Sequence, residues 1–147
     1  MDTVVKNKVA LIISMTIIGV ATLFIIIASV LAFMPVQVIK ANQQPYKVIT
    51  TSIKAGDLVT YVADVCKYKE AGSIVSRVFI DANNIHYALP DQDSNVPSGC
   101  HQNKVTLPTP INLHPGTWYL ALDVEYKVNI LRTETYHLRT ETFIVTQ

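Results

Sequence analysis

Near the start of the chain the hydrophobic residues run without interruption: from Val9 to Met34, VALIISMTIIGVATLFIIIASVLAFM contains no charged residue. The run exceeds the roughly 20 residues that a helix needs to cross a bilayer. It predicts a transmembrane helix over 9–34, preceded by a short head, 1–8, that carries Lys6 and Lys8. The apolar region of a secretory signal is about 7–15 residues long, so the length here favours a retained anchor over a cleaved leader. Beyond Met34 the pattern changes character. PVQVIKANQQPYK is polar and holds Pro35 and Pro45, which reads as a stalk over 35–45.

From residue 46 onward the apolar residues alternate with polar ones, the period of a sheet with one wet face. YKVITTSI predicts a strand, AGD a turn, and LVTYVADVCKY a second strand in which Val59, Tyr61, Ala63 and Val65 oppose Thr60, Val62 and Asp64. After EAGS, a third strand sets Ile74, Ser76, Val78 and Ile80 against Val75, Arg77, Phe79 and Asp81. ANN turns into a short IHYAL, and PDQDSNVPSGCHQNK follows as a long polar loop. VTLPTPINL admits a brief edge strand, because Pro108 and Pro110 lack ladder donors. The clearest strand places Trp118, Leu120, Leu122, Val124, Tyr126 and Val128 on one face, and NILR turns it into a returning strand. That strand, RTETYHLRTETFIV, repeats RTET after seven residues but has no apolar heptad seam, so it is not a coiled coil. Tyr136 and Leu138 share one phase and Phe143 and Val145 the other, which requires a bulge between Arg139 and Thr142. About seven strands with regular turn signals make the fold class all-β, an antiparallel sandwich over 46–147.

The phrase LHPGTWYLALDVEY resembles the penultimate strand of immunoglobulin-like and fibronectin-like sandwiches, and the resemblance implies an Ig-like fold without implying a function. Trp118 follows both cysteines, unlike the Cys, Trp, Cys order of antibody domains. The wider arrangement, an anchor followed by CKY, SGCH, PGTWYL, YKVNILRTET and TFIV, resembles phage-encoded single-pass membrane proteins of uncharacterised role.

Composition narrows the function classes. The 147 residues carry a net charge of +1, without the clustered basic footprint of a nucleic-acid surface. Arg77, Lys127, Arg132 and Arg139 read as solvated strand-face residues. Cys66 and Cys100 both follow the anchor, and an even count in an exported domain suggests one disulfide; two free thiols or a reactive thiol are the alternatives. The histidines, His86, His101, His114 and His137, have no metal-ligand spacing, and Cys66, Cys100 and His101 fall short of a four-ligand zinc site. Asp91 and Asp93 have the spacing that opens a calcium loop but lack its later glycine and glutamate. No phosphate loop, HExxH or G-x-S-x-G occurs. The reading is therefore of no catalytic residues, no metal and no cofactor.

These observations together point to a non-enzymatic recognition or structural protein, anchored in a cell envelope or virion membrane with its head in the cytoplasm and its sandwich outside. Lys40 and Lys47 beyond the anchor match Lys6 and Lys8 before it, so the orientation rests on the short head and not on charge bias. The expected partners are the lipid bilayer and a protein, bound through the loop between Leu89 and Val105 with Asp91, Asp93, Asn95 and His101 as its contacts. Small residues at Ala10 and Ser14, or at Ala28 and Ala32, leave room for a homo-oligomer through the helix. The alternative is an exported enzyme with a site assembled from Asp91, Asp93, His86 and His101.

Overall fold

The computed structural model describes residues 2–147, with side chains described at Lys8 and from Leu11 onward. It divides into two compact units, one ending at Val36 and the other running from Gln37 to Gln147. The first is helix α1 (Asp2–Phe33), which begins within the stretch read as a head. Its segment Leu11–Phe33 spans 23 residues at a mean hydropathy of 2.7, with none of it buried. At 1.5 Å per residue that segment measures about 35 Å, against roughly 30 Å of bilayer hydrocarbon. The hydroxyls of Thr16, Thr22 and Ser29 each donate to the carbonyl four residues back, at 2.9, 2.8 and 2.8 Å, so they find partners within the helix. The helix is long and apolar enough to serve as a membrane anchor.

The second unit is an all-β sandwich. One sheet is built on β4 (Leu58–Lys67), flanked along one side by β1 (Ile39–Ala41) and then β2 (Lys47–Val48), and along the other by β7 (Gly99–Pro108). The other is built on β8 (Gly116–Asn129). On one side of it lie β5 (Ser73–Asp81) and then β6 (His86–Ser94); on the other lie β9 (Arg132–Arg139) and β10 (Phe143–Thr146) in succession. The short β3 (Ser52–Lys54) runs parallel to β10 at the edge, and the remaining strand pairs are antiparallel. The core lies between the sheets, where Trp118, Leu120, Leu122, Val124, Tyr126 and Val128 are all buried, as their alternation requires. Between β9 and β10 the pairing passes from Arg139 opposite Ala121 to Phe143 opposite Trp118, one residue more on the returning strand, and the inward phase changes there. Thr140 fills the step: its N–H donates to Leu120 O at 2.9 Å and its Oγ1 accepts from Leu120 N at 3.0 Å.

Three expectations are corrected. The residues read as a stalk belong largely to the sandwich: β1 pairs with Val65–Lys67, Val38 is completely buried, and its carbonyl accepts from Tyr68 N at 2.8 Å. Alternation over so short an edge strand is too brief to separate from a linker. YKVITTSI is not one strand; it crosses between the sheets at Thr50 and Thr51, with Thr50 Oγ1 accepting from Thr60 N at 2.7 Å and Thr51 O accepting from Ile144 N at 2.9 Å. The supposed loop PDQDSNVPSGCHQNK is mostly strand. β6 continues through Pro90 to Ser94, and only residues 95–98 join it to β7. β6 is an edge strand with a register shift opposite Val75 and Arg77, which is where proline and aspartates are tolerated in a sheet.

Cys66 and Cys100 face each other across the β4–β7 ladder and form a disulfide. It joins neighbouring strands of one sheet, whereas the bridge of antibody domains crosses between sheets. Closing a loop of this length stabilises the domain by roughly 3–4 kcal/mol on the chain-entropy model. Two outcomes are expected. Unreduced peptide mapping by mass spectrometry yields a Cys66–Cys100 peptide pair, and the double substitution Cys66→Ser with Cys100→Ser lowers the unfolding free energy in a denaturant titration by about that amount. A fragment of residues 37–147 unfolds cooperatively, whereas one of residues 46–147 loses the burial of Val38 and Ile39, about 3–6 kcal/mol, and unfolds at markedly lower denaturant.

Candidate functional site

β5 is flanked on both sides, by β6 and β8, and turns Ser73, Val75, Arg77, Phe79 and Asp81 toward the interior. Its other phase holds Ile74, Ser76, Val78 and Ile80, with Ile74 44% exposed. By apolar content alone that outward phase would be the better one to bury. Arg77, grouped from sequence with the solvated strand-face residues, is thus an interior residue: it pairs with Leu122 of β8, whose side chain is buried. The inward polar groups are to be explained one at a time.

Asp81 is explained by structure. It is buried, and its carboxylate accepts from Asn83 N at 2.9 Å, Asn83 Nδ2 at 3.1 Å, Ile85 N at 2.6 Å and His114 Nε2 at 2.9 Å. It thereby fixes the β5–β6 turn, in which Asn84 adopts a positive φ of 63°. His114 stacks at 4.8 Å on Trp118, whose indole N–H donates to His114 O at 3.1 Å. Burial pushes the Asp81 carboxyl up, but the hydrogen bonds outweigh it and hold the group below the usual aspartate value. Ser73 is explained as well, since its hydroxyl donates to Ser94 O at 3.2 Å.

Arg77 is only partly satisfied. It lies against a gap of about 110 Å³ between the sheets, walled by Ile39, Ala63, Val65, Val75, Leu122 and Leu138 and bordered by Tyr46, Tyr61 and Tyr126. Nη1 donates to Gln92 Oε1 at 2.7 Å and the guanidinium also reaches the Tyr61 phenol. Nε is buried with no hydrogen-bond partner. So is Tyr46 Oη, on a side chain that is 2% exposed and stacks on Tyr61 at 6.1 Å. Each such unmade bond costs roughly 1–3 kcal/mol. Burial raises the phenols of Tyr46 and Tyr61, with the charge and hydrogen bond of Arg77 opposing the rise at Tyr61, so both are donors at neutral pH. Lys67, a second inward cation, donates to Val96 O at 2.7 Å and lies 5.7 Å over the Tyr126 ring. Half-buried Ser94, Val96, Asn103 and Val105 line the gap on the side where β6 and β7 form the free edges of their sheets.

The residues chosen from sequence lie apart from these donors. Asp91 and Asp93 are exposed on β6, Asn95 is exposed in the link to β7, and His86 is exposed with its ring nitrogen 2.9 Å from Asn84 Oδ1. His101 is half-buried on the other sheet, its Nε2 3.1 Å from Ser98 O. No hydrogen bond or ion pair joins any two of Asp91, Asp93, Asn95, His86 and His101, and among the described residues no group of three or more His, Cys, Asp or Glu is arranged to hold a metal. The supposed binding loop nonetheless borders the gap, through Ser94, Val96, Asn103 and Val105. Of the remaining surface cations, Arg132 pairs with Glu134, and Arg139 and Lys127 are exposed.

No family model matches the chain, and no curated protein matches it. Among solved structures it is similar to the crystal structure of the C-terminal domain of wzt, at 14% identity over 79% of this chain and 81% of that one, with a TM-score of 0.46. No resemblance to a phage-encoded protein emerges from these comparisons.

Because the Asp81 carboxyl is depressed in the folded state, the stability it contributes is present above the ordinary aspartate range and is lost as pH falls through the lowered value. Asp81→Asn is expected to lower the Tm by several degrees at neutral pH and to lessen the fall in Tm on acidification below about pH 4. Thermal unfolding across pH for both proteins measures this.

Proposed function

We propose that this chain is a non-enzymatic, single-pass membrane protein that displays its sandwich outside the cytoplasm and binds a protein partner there, through the edge of the sandwich where β6 and β7 meet the inter-sheet gap. The carrying observation is the pair of unmet donors on the gap that this edge borders, Arg77 Nε from the strand next to β6 and Tyr46 Oη from the far side of the sandwich beside β2. Buried donors without partners are rare in folded domains, and a group from outside the chain, solvent included, is one way in which they are completed. A helix with the length and hydropathy of a membrane span supports the anchor, and the Cys66–Cys100 disulfide supports an oxidising compartment for the sandwich.

The protein is expected to resist alkaline carbonate extraction and to leave membranes only with detergent. A photo-crosslinking residue at Asn103, on the rim of the gap, is expected to capture a partner in native membranes, while one at Thr135, exposed on β9, captures none. Equal capture from both positions, or none from Asn103, removes the β6–β7 edge as the recognition surface. Products of twice the chain mass would identify the partner as a second copy.

A further inference from the structure

Resting on the reading of the gap as the recognition site, a ligand chemistry can be derived from the groups that wall it. Arg77 forms no ion pair with any carboxylate among the described residues, and its hydrogen bond to the Gln92 amide leaves the charge uncompensated. Arg77 is half-buried: its Nη1 end meets Gln92 at the exposed side, while Nε is the buried part, and a water molecule in the gap could satisfy the donors there without offsetting the charge. Lys67 does not line the gap, its ammonium being held on Val96 O and the Tyr126 ring behind two of the residues that do. An anion is therefore the complement.

Its form follows from the walls. A phosphate or sulfate has more acceptor oxygens than these two open donors can serve, and the aliphatic side chains would leave the rest unpaired. A carboxylate has two oxygens and can present an apolar body to Val75, Leu122 and Leu138. The gap of about 110 Å³ is somewhat smaller than the ~150 Å³ cavity that holds a benzene molecule, so the body is compact. We propose that the inter-sheet gap binds a carboxylate carried on a small branched aliphatic group, the carboxylate accepting hydrogen bonds from Arg77 Nε and Tyr46 Oη. The same chemistry exists in a free short-chain acid and at the C terminus of a protein ending in valine.

The test uses the full-length protein in detergent micelles, with isobutyrate, isobutanol and a short peptide ending in valine, the peptide with either a free or an amidated C terminus. Calorimetric titration and thermal unfolding are the readouts. Isobutyrate or the free-carboxylate peptide is expected to bind and to raise the Tm with concentration, while isobutanol and the amide do not. A response to isobutyrate assigns the site to a free acid, and a response to the peptide alone assigns it to a protein terminus. Arg77→Met is expected to weaken binding at least tenfold. Tyr46→Phe, which removes only a hydroxyl without a partner, is expected to weaken it severalfold with the unliganded Tm no lower than that of the parent protein, and it carries the test should Arg77→Met not fold. The proposal is overturned if neither carboxylate binds, if isobutanol or the amide does as well, or if binding is unaltered in Tyr46→Phe and in whichever Arg77 variant folds. Crosslinking from Asn103 without a carboxylate response removes this chemistry and leaves the recognition reading standing. The converse result removes the protein partner alone.

Discussion

The strand β8 has one apolar face, and the orientation of the strands beside it follows from burying that face. Trp118, Leu120, Leu122, Val124, Tyr126 and Val128 are each less than a tenth exposed, and directly paired residues in a sheet point the same way. Antiparallel pairing to β5 therefore sends Val75, Arg77, Phe79 and Asp81 inward with Val124, Leu122, Leu120 and Trp118. A slip of one residue would bury Ile74, Val78 and Ile80 instead. It would also expose Phe79, which is fully buried and meets Phe143 edge-on at 6.1 Å, and it would break the Asp81 cluster that closes the β5–β6 turn. Those contacts hold the register against the apolar preference of the strand.

The consequence is an arginine inside a sandwich. Two unmet donors at roughly 1–3 kcal/mol each are a sizeable fraction of a net stability that is typically 5–15 kcal/mol. The side chains of Asp81 and Ser73 find partners for their buried atoms, whereas Arg77, bonded to Gln92 and Tyr61, leaves Nε without one. Sequences that fold well are consistent across levels, and isolated violations concentrate at functional sites. That asymmetry separates Arg77 from the other buried polar groups.

Much of the fold was legible in the sequence, and the exceptions have physical causes. The long apolar helix and the β8–β9 hairpin announce themselves through long, unambiguous patterns, and the change of phase between Leu138 and Phe143 fixes the bulge. β1 was missed because three residues cannot display a period. The second half of β6 and the first half of β7 read as loop because Pro90, Asp91, Asp93 and Gly99 disfavour interior strands, yet these strands are edges, where the same residues are tolerated. The site was missed for a different reason. The outward phase of β5 holds more apolar residues than the inward one, so the strand by itself points Ile74 and not Arg77 at the core, and the answer comes from β8 and β10 farther along the chain. Tyr46 lay at the boundary of a supposed stalk, where a buried phenol had no reason to be sought.

The disulfide bears on the gap as well as on stability. β7 is held in its sheet by β4 alone, and an edge strand paired on one side frays from its ends. Cys100 lies at the beginning of β7, three residues before Asn103 and five before Val105, which form the rim of the gap. Tying that end to Cys66 fixes the rim against β4, whose Tyr61, Ala63 and Val65 continue the same wall of the gap. Without the bridge that end is held by its ladder to β4 alone. Under the proposed placement of the sandwich beyond the membrane, the same pair of cysteines serves both the stability of the domain and the shape of the gap.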